Sequence, residues 1–121
     1  MATDLATFNP RNFGELAEVL EEQIGDIATD WWNENKVVVS ARMRLLAKAA
    51  MKTTKALAEG RIDQETAEEA LAMQCSALDD VITYSQFMSL VLAERVKDAL
   101  FKVIGQVILN RTGLSIPGLL G

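Results

Sequence analysis

Apolar residues recur at three- and four-residue spacing along most of this 121-residue chain, which is the period of an amphipathic α-helix. The first series follows Asn9-Pro10, a favourable helix start with Asn as cap and Pro at the first helical position. We predict that this helix ends at the polar run Asn33-Glu34-Asn35, with a continuous bend through the run as the alternative. Its apolar face consists of Phe13, Leu16, Leu20, Ile24, Ile27 and Trp31.

A second series occupies residues 37–58 and ends at a strong turn signal. Gly60 suits the left-handed conformation that closes a helix, and Asp63 is a natural N-cap for the helix that follows. We therefore predict that the second and third helices form an antiparallel hairpin around this turn. The apolar face of the second helix consists of Val39, Met43, Leu46, Ala50, Thr53 and Leu57.

The third series begins at Gln64 and continues to about Asn110, with no Pro or Gly before Gly105. A single helix of this length would measure roughly 70 Å, about twice the second helix, so its distal apolar residues need cover. Three arrangements provide it: the first helix folds across, the helix breaks within residues 83–89, or another subunit packs there. We expect the third arrangement for part of this surface.

These patterns predict one all-α domain over residues 1–121, with an antiparallel helical hairpin inside a three- or four-helix bundle and a long C-terminal helix. Residues 1–8 form a lead-in, and residues 114–121 form a short extended apolar tail in which Pro117 opposes helix. The composition agrees, because half of the residues are hydrophobic, only 6% are aromatic and only two are Pro.

Charge is sorted along the chain. Residues 1–35 hold eight acids and one base, residues 36–61 seven bases and one acid, and residues 62–80 six acids and no base. Neighbouring helices of opposite charge are the simplest interpretation, and the hairpin places Lys55 near Glu68 and Arg44 near Asp79. The alternative is a free basic face that contacts nucleic acid or an acidic partner through Arg42, Arg44, Lys48, Lys52 and Lys55.

The net charge of −5 argues against nucleic acid as a partner, because that function needs a net basic surface. The residue types that carry most catalysis are also missing. The chain has no His, so a Ser or Cys nucleophile lacks its usual base and a helical di-metal site lacks its Glu-x-x-His motif. Cys75 is spaced as a small core residue, and the seven glycines form no phosphate loop. We predict no enzymatic activity, metal, cofactor or small-molecule substrate.

Excess apolar surface instead favours a structural or assembly protein that forms homo-oligomers or joins other protein subunits, with a phage or virion particle as one setting. The alternative is a small helical binding module or regulator that uses the basic face. Adjacent helical residues point about 100° apart, so at most one of the two adjacent tryptophans fits the core, and the pair is either a wedge between helices or an interface anchor. The candidate interface residues are Trp31, Trp32, Phe87, Val91, Val96, Leu100, Val103, Val107, Leu114, Ile116, Leu119 and Leu120.

Nothing in the sequence predicts a membrane span. The longest uncharged stretch of the third series, residues 81–93, has about 13 residues, whereas a spanning helix needs about 20. The first residues lack the basic and apolar regions of a signal peptide. We expect a cytoplasmic location or a place within an assembled particle.

Overall fold

A computed structural model describes Leu5, residues 7–83 and residues 89–114, with the side chains of Cys75, residues 77–83 and Leu90 outside that description. Throughout this part of the chain the regular structure is helical, which confirms the predicted all-α class. None of the described helices combines the length and the apolar character needed to cross a membrane. The helices are α1 (Phe13–Ile27), α2 (Thr29–Ala58), α3 (Gln64–Thr83) and α4 (Leu90–Thr112).

Helix α1 begins at Phe13, and the predicted start at Asn9-Pro10 is wrong. Asn12 provides the cap: its backbone is extended, and its side-chain Oδ1 accepts a hydrogen bond of 3.0 Å from the backbone N–H of Glu15. The Arg11 side chain donates to the Glu15 carboxylate at 3.1 Å and lowers the pKa of that group. The first turn therefore has both its cap and its acidic residue in place.

The segment before α1 is held against the end of α4. The Asn110 side chain donates to the backbone carbonyls of Leu5, at 3.1 Å, and Phe8, at 2.8 Å. Arg111 Nη2 donates to the carbonyl of Pro10 at 2.5 Å, and the Pro10 ring is fully buried. The described part of the predicted lead-in is thus fixed by contacts with residues about a hundred positions away.

Helices α1 and α2 meet at a one-residue corner, the buried Ala28. Ser40 of α2 donates a hydrogen bond to Glu21 of α1, and the Arg44 guanidinium lies 5.7 Å from the centre of the Phe13 ring. These contacts advance along α2 while they move back along α1, so the two helices are antiparallel.

The predicted break at Asn33-Glu34-Asn35 is wrong, because α2 runs through it without interruption. The Asn35 side chain donates to the Trp31 carbonyl at 2.9 Å, one turn back in the same helix, so it bonds to the backbone of α2 without ending the helix. Asn33 and Glu34 are exposed. Polar residues on the solvent side of a helix do not end it; the corner falls at Ala28 instead.

The predicted turn signals after α2 are confirmed. Gly60 has a φ of +73°, in the left-handed region that favours glycine. Its N–H donates to the Leu57 carbonyl at 3.1 Å, and the Arg61 N–H donates to the Ala56 carbonyl at 2.9 Å. These two bonds are the pair that defines a Schellman motif.

The third apolar series forms two helices. Asp63 caps α3, since its carboxylate accepts from the Thr66 N–H at 2.8 Å, and this bond lowers the pKa of Asp63. Helix α3 ends at Thr83, and α4 begins after Ser89, whose hydroxyl accepts from the Leu92 N–H at 3.2 Å. A single rod of about 70 Å is therefore excluded.

The core takes buried residues from all four helices, and most of those that the structure describes lie on α1, α2 and α4. Helix α2 contacts each of the other three helices, and α4 also packs against α1 and α3. The predicted apolar face of α2 is buried as expected. Two of the three arrangements considered for the distal apolar residues are thus realised together, because the chain breaks and α1 packs on α4. The principal large core residues are Leu16, Leu20, Ile24, Met43, Val96, Leu100, Val103, Val107 and Ile108.

Candidate functional site

Four of the predicted interface residues lie inside the chain's own core. Val96, Leu100 and Val103 are completely buried, and Val107 is 1% exposed. The reason is that α4 packs against three neighbouring helices, so apolar residues on more than one side of it are needed within one copy of the chain. The interface prediction is corrected for these four residues, which offer no surface to a partner in this fold.

The other predicted interface residues differ in how far they are exposed, and some lie outside the described residues. Trp31 is buried, whereas Trp32 is half-buried and has its indole ring beside Gly25. Val91 is 74% exposed on α4, and Leu114 is 38% exposed just after it. The remaining candidates lie outside the described residues: Phe87, Ile116, Leu119 and Leu120.

The largest concentration of exposed aliphatic side chains is on α2, where sequence analysis did not place it. Val37 is 83% exposed, Val38 67% and Leu45 60%. All three point away from the buried stripe of α2, because helical residues advance by about 100° each. Met73, which is 76% exposed on α3, has no such companions among the described residues.

These aliphatic residues belong to a longer stripe, which we call the outer face of α2. Its members are separated by four, three, four, four, three and four positions, and every one of them is exposed. At about 100° per residue they stay within an arc of about 80° over six turns. The outer face consists of Asp30, Glu34, Val37, Ala41, Leu45, Lys48 and Lys52.

The outer face has three chemically distinct parts. Two acids occupy its N-terminal end, three aliphatic residues its centre, and two lysines its C-terminal end. An apolar centre between charged ends is the general plan of a protein interface, in which a desolvated core is surrounded by a polar rim.

All five residues of the predicted basic face are exposed, but they do not act as one surface. The Arg44 guanidinium is engaged with the Phe13 ring. Arg42 points about 120° away from Lys48 around the helix. Lys55 Nζ lies 3.9 Å from Glu59 Oε1, one turn along its own helix, and not against Glu68 as predicted.

Lys48 and Lys52 form no ion pair with any described residue. The acids of α3 that the structure describes remain exposed, and the Asp79 side chain lies outside the description. The ion pairs that Lys55 and Arg61 of the basic stretch make are both with Glu59, at the end of α2. Two cations of the outer face are left available for a partner.

A cavity of about 360 Å³ lies where the start of α1 meets the middle of α2. Three carboxylates and one guanidinium border it, together with the Ser40 hydroxyl, which is bonded to Glu21. In the part of the chain that the structure describes, no three His, Cys, Asp or Glu side chains come together as metal ligands.

No protein-family model matches the chain, and no curated protein or solved structure shows significant similarity to it. Function is therefore inferred from the chain's own surface. Within the described residues, the outer face of α2 is the feature that combines exposed apolar area with unpaired charge.

Periodicity missed this surface because it assigns one apolar side to each helix. The stripe from Val39 to Leu57 satisfies that rule, so periodicity assigns no role to Val37, Val38 and Leu45. The available signal was a second apolar group on the opposite side of the same helix, bounded by acids before it and lysines after it.

Proposed function

We propose that this protein is a non-enzymatic structural or assembly protein that binds protein subunits through the outer face of α2. The observation that carries the proposal is the exposure of Val37, Val38 and Leu45, at 60–83%, on one side of one helix. Single exposed aliphatic residues are ordinary, but large contiguous apolar patches are rare on monomeric proteins and mark interaction surfaces.

This proposal moves the predicted assembly interface from the core of α4 to α2. Val91 and Leu114, with the tail residues Ile116, Leu119 and Leu120, remain a secondary candidate surface. The predicted α2–α3 hairpin within a helical bundle is part of the proposal, and the closed turn at residues 60–63 supports it. An assembled particle, such as a virion, is the proposed setting.

A second candidate function is binding of nucleic acid or another polyanion at the basic end of the outer face. The observation in its favour is that Lys48 and Lys52 pair with no acid among the described residues. Two features oppose it: Asp30 and Glu34 on the same face repel phosphate, and aliphatic side chains gain nothing from a phosphate backbone. Protein binding accounts for all three parts of the face, so we rank it first.

Light scattering on a sizing column, over a range of concentrations and at low and about 0.5 M salt, tests the proposal. We expect a defined mass above the 13.3 kDa of one chain, retained in high salt. Replacing Val37 and Leu45 together by Ser should reduce it to one chain. Met73→Ser is the matched control, because Met73 is equally exposed but lies on another helix and outside both candidate surfaces.

A mass of 13.3 kDa for the unmodified chain under every condition would contradict self-assembly. If the chain then bound a short DNA duplex, and affinity fell steeply between about 50 and 200 mM salt, the second candidate would replace the first. Unchanged association in the Val37→Ser, Leu45→Ser variant would remove α2 from the proposal and leave Val91 and the tail.

A further inference from the structure

We propose that the partner of the outer face of α2 is a second copy of this chain, with the two α2 helices antiparallel and a twofold axis beside Ala41. This inference rests on the proposed function and specifies its partner. It follows from the order of residues along the face, which is complementary to itself when reversed.

The spacing of the outer face is the same when counted from either end. Starting at Ala41, the chain reaches exposed stripe positions after four, seven and eleven residues in both directions. In an antiparallel pair with Ala41 opposite Ala41, each residue faces the one at the same distance beyond the axis. The facing pairs are Val37 with Leu45, Glu34 with Lys48, and Asp30 with Lys52.

Charge selects this orientation. In the antiparallel pair every acid of one copy faces a lysine of the second copy, and twofold symmetry produces each contact twice. In a parallel pair Asp30 would face Asp30 and Lys48 would face Lys48, which is repulsive throughout. Complementary rim charges fix the register and orientation of an interface, while its desolvated centre supplies most of the affinity.

The centre of the face is suited to close packing. Ala41 is small, so two helices can approach at the axis to the separation of about 8–10 Å that is usual for packed helices. Val37 and Leu45 of each copy then cover one another on both sides of the axis, and Val38 borders the contact. The buried stripe of α2 lies on the opposite side of the helix, so the rest of each copy lies behind it.

Contacts within one chain do not account for this pattern. Acids at the start of a helix and bases at its end interact favourably with the helix dipole, but that effect fades within one turn. It covers Asp30, in the first turn of α2, and does not cover Lys48, ten residues before the last. None of the four charged residues of the face forms an ion pair with another described residue, and the dipole has no bearing on the aliphatic centre.

Charge reversal provides a specific test. An acidic variant, K48E with K52E, and a basic variant, D30K with E34K, each place like charges opposite one another in the antiparallel dimer. We expect each to weaken self-association at least tenfold in low salt. An equimolar mixture should form a heterodimer, because all four facing pairs become complementary, and the variant with all four substitutions should regain the homodimer. Circular dichroism and thermal unfolding establish that each variant folds.

Cysteine crosslinking tests the position of the axis. Ala41→Cys, in a chain whose single cysteine is replaced by Ala, brings two sulfur atoms together only if residue 41 faces itself. We expect a covalent dimer on mild oxidation. Ala58→Cys is the matched control, since Ala58 is an exposed alanine of the same helix that lies off the outer face, and it should crosslink far less.

The outcomes separate this inference from the proposed function. A wild-type chain that is a monomer at every concentration overturns both the dimer and self-assembly. An oligomer that persists in every charge variant and shows no crosslink at position 41 overturns the dimer and leaves assembly through another surface. Homodimers in both the acidic and the basic variant, without preference for the mixture, also overturn the antiparallel register.

Discussion

Helices α4 and α2 expose their aliphatic residues in opposite ways. On α4, Val96, Leu100 and Val103 are completely buried, although the sequence analysis assigned them to an interface. On α2, Val37 is 83% exposed and Leu45 60%, although the sequence analysis gave them no function. The difference lies in how each helix is enclosed.

A helix with apolar residues on several sides is explained by several neighbours in the same chain. Helix α4 packs against α1, α2 and α3, so most of its described apolar side chains are buried within one copy of the chain. Helix α2 also contacts all three other helices, yet one side of it faces solvent along six turns. Apolar content alone does not locate an interface; apolar residues on the side opposite the core do.

The largest effect we predict comes from a charge in the core of α4. Leu100→Asp places a carboxylate in a completely buried position without a partner, so the group must either be desolvated or force the core open. We expect no cooperative unfolding transition at 25 °C, as measured by circular dichroism in urea. Val91→Asp is the matched control on the same helix, and its free energy of unfolding should change by less than about 0.5 kcal/mol.

A folded Leu100→Asp variant that merely loses an oligomer would contradict the burial of α4 and return the interface to that helix. A strong loss of stability in Val91→Asp would mean that Val91 is covered, since an exposed position tolerates charge.

Adjacent leucines of α2 sharpen the comparison within one helix. Leu46 is 8% exposed and Leu45 is 60% exposed. Leu46→Ala should lower the free energy of unfolding by about 2–5 kcal/mol, because it leaves a cavity, whereas Leu45→Ala should change it by less than about 0.5 kcal/mol. Urea titration at a concentration where the chain is monomeric measures both, because association would add its own contribution to apparent stability. Equal losses in the two variants would mean that Leu45 is covered within one chain.

The sequence predicted those parts of the fold that depend on local signals. Gly60 and Asp63 determine the turn after α2 through backbone conformation and a cap, and both are recognisable within a few residues. The buried stripe of α2 was likewise recognised from its period. These features need no knowledge of which helices are neighbours.

Features that depend on distant residues were not predictable in this way. Asn9-Pro10 is a favourable local helix start, but Arg111 binds the Pro10 carbonyl and Asn12 takes the cap. The burial of Val103 depends on which helices pack against α4, and no local pattern specifies them. The outer face of α2 was also not predicted, because its exposed apolar residues can be recognised as a separate surface only when the buried side of α2 is known.

The smallest effect we predict concerns the corner that joins α2 to α3. Asp63→Ala removes the acceptor of the Thr66 N–H, and we expect Tm to fall by roughly 3–6 °C near pH 7. Asp63→Asn retains an acceptor without a titrating charge, so its Tm should stay close to that of the wild type. Differential scanning calorimetry of the three proteins measures these shifts.

The pH dependence of that effect has a definite sign. The Thr66 hydrogen bond lowers the pKa of Asp63 in the folded chain below its unfolded value of about 3.9. The stabilising contribution is therefore complete above about pH 5 and is lost as pH falls through the folded pKa. Between about pH 5 and pH 2, the wild type should lose Tm relative to Asp63→Asn, and its advantage over Asp63→Ala should shrink. A constant difference between wild type and Asp63→Asn over this range would mean that the carboxylate does not cap α3 in solution. A cap acts locally, so Asp63→Ala should leave the self-association of the outer face of α2 unchanged.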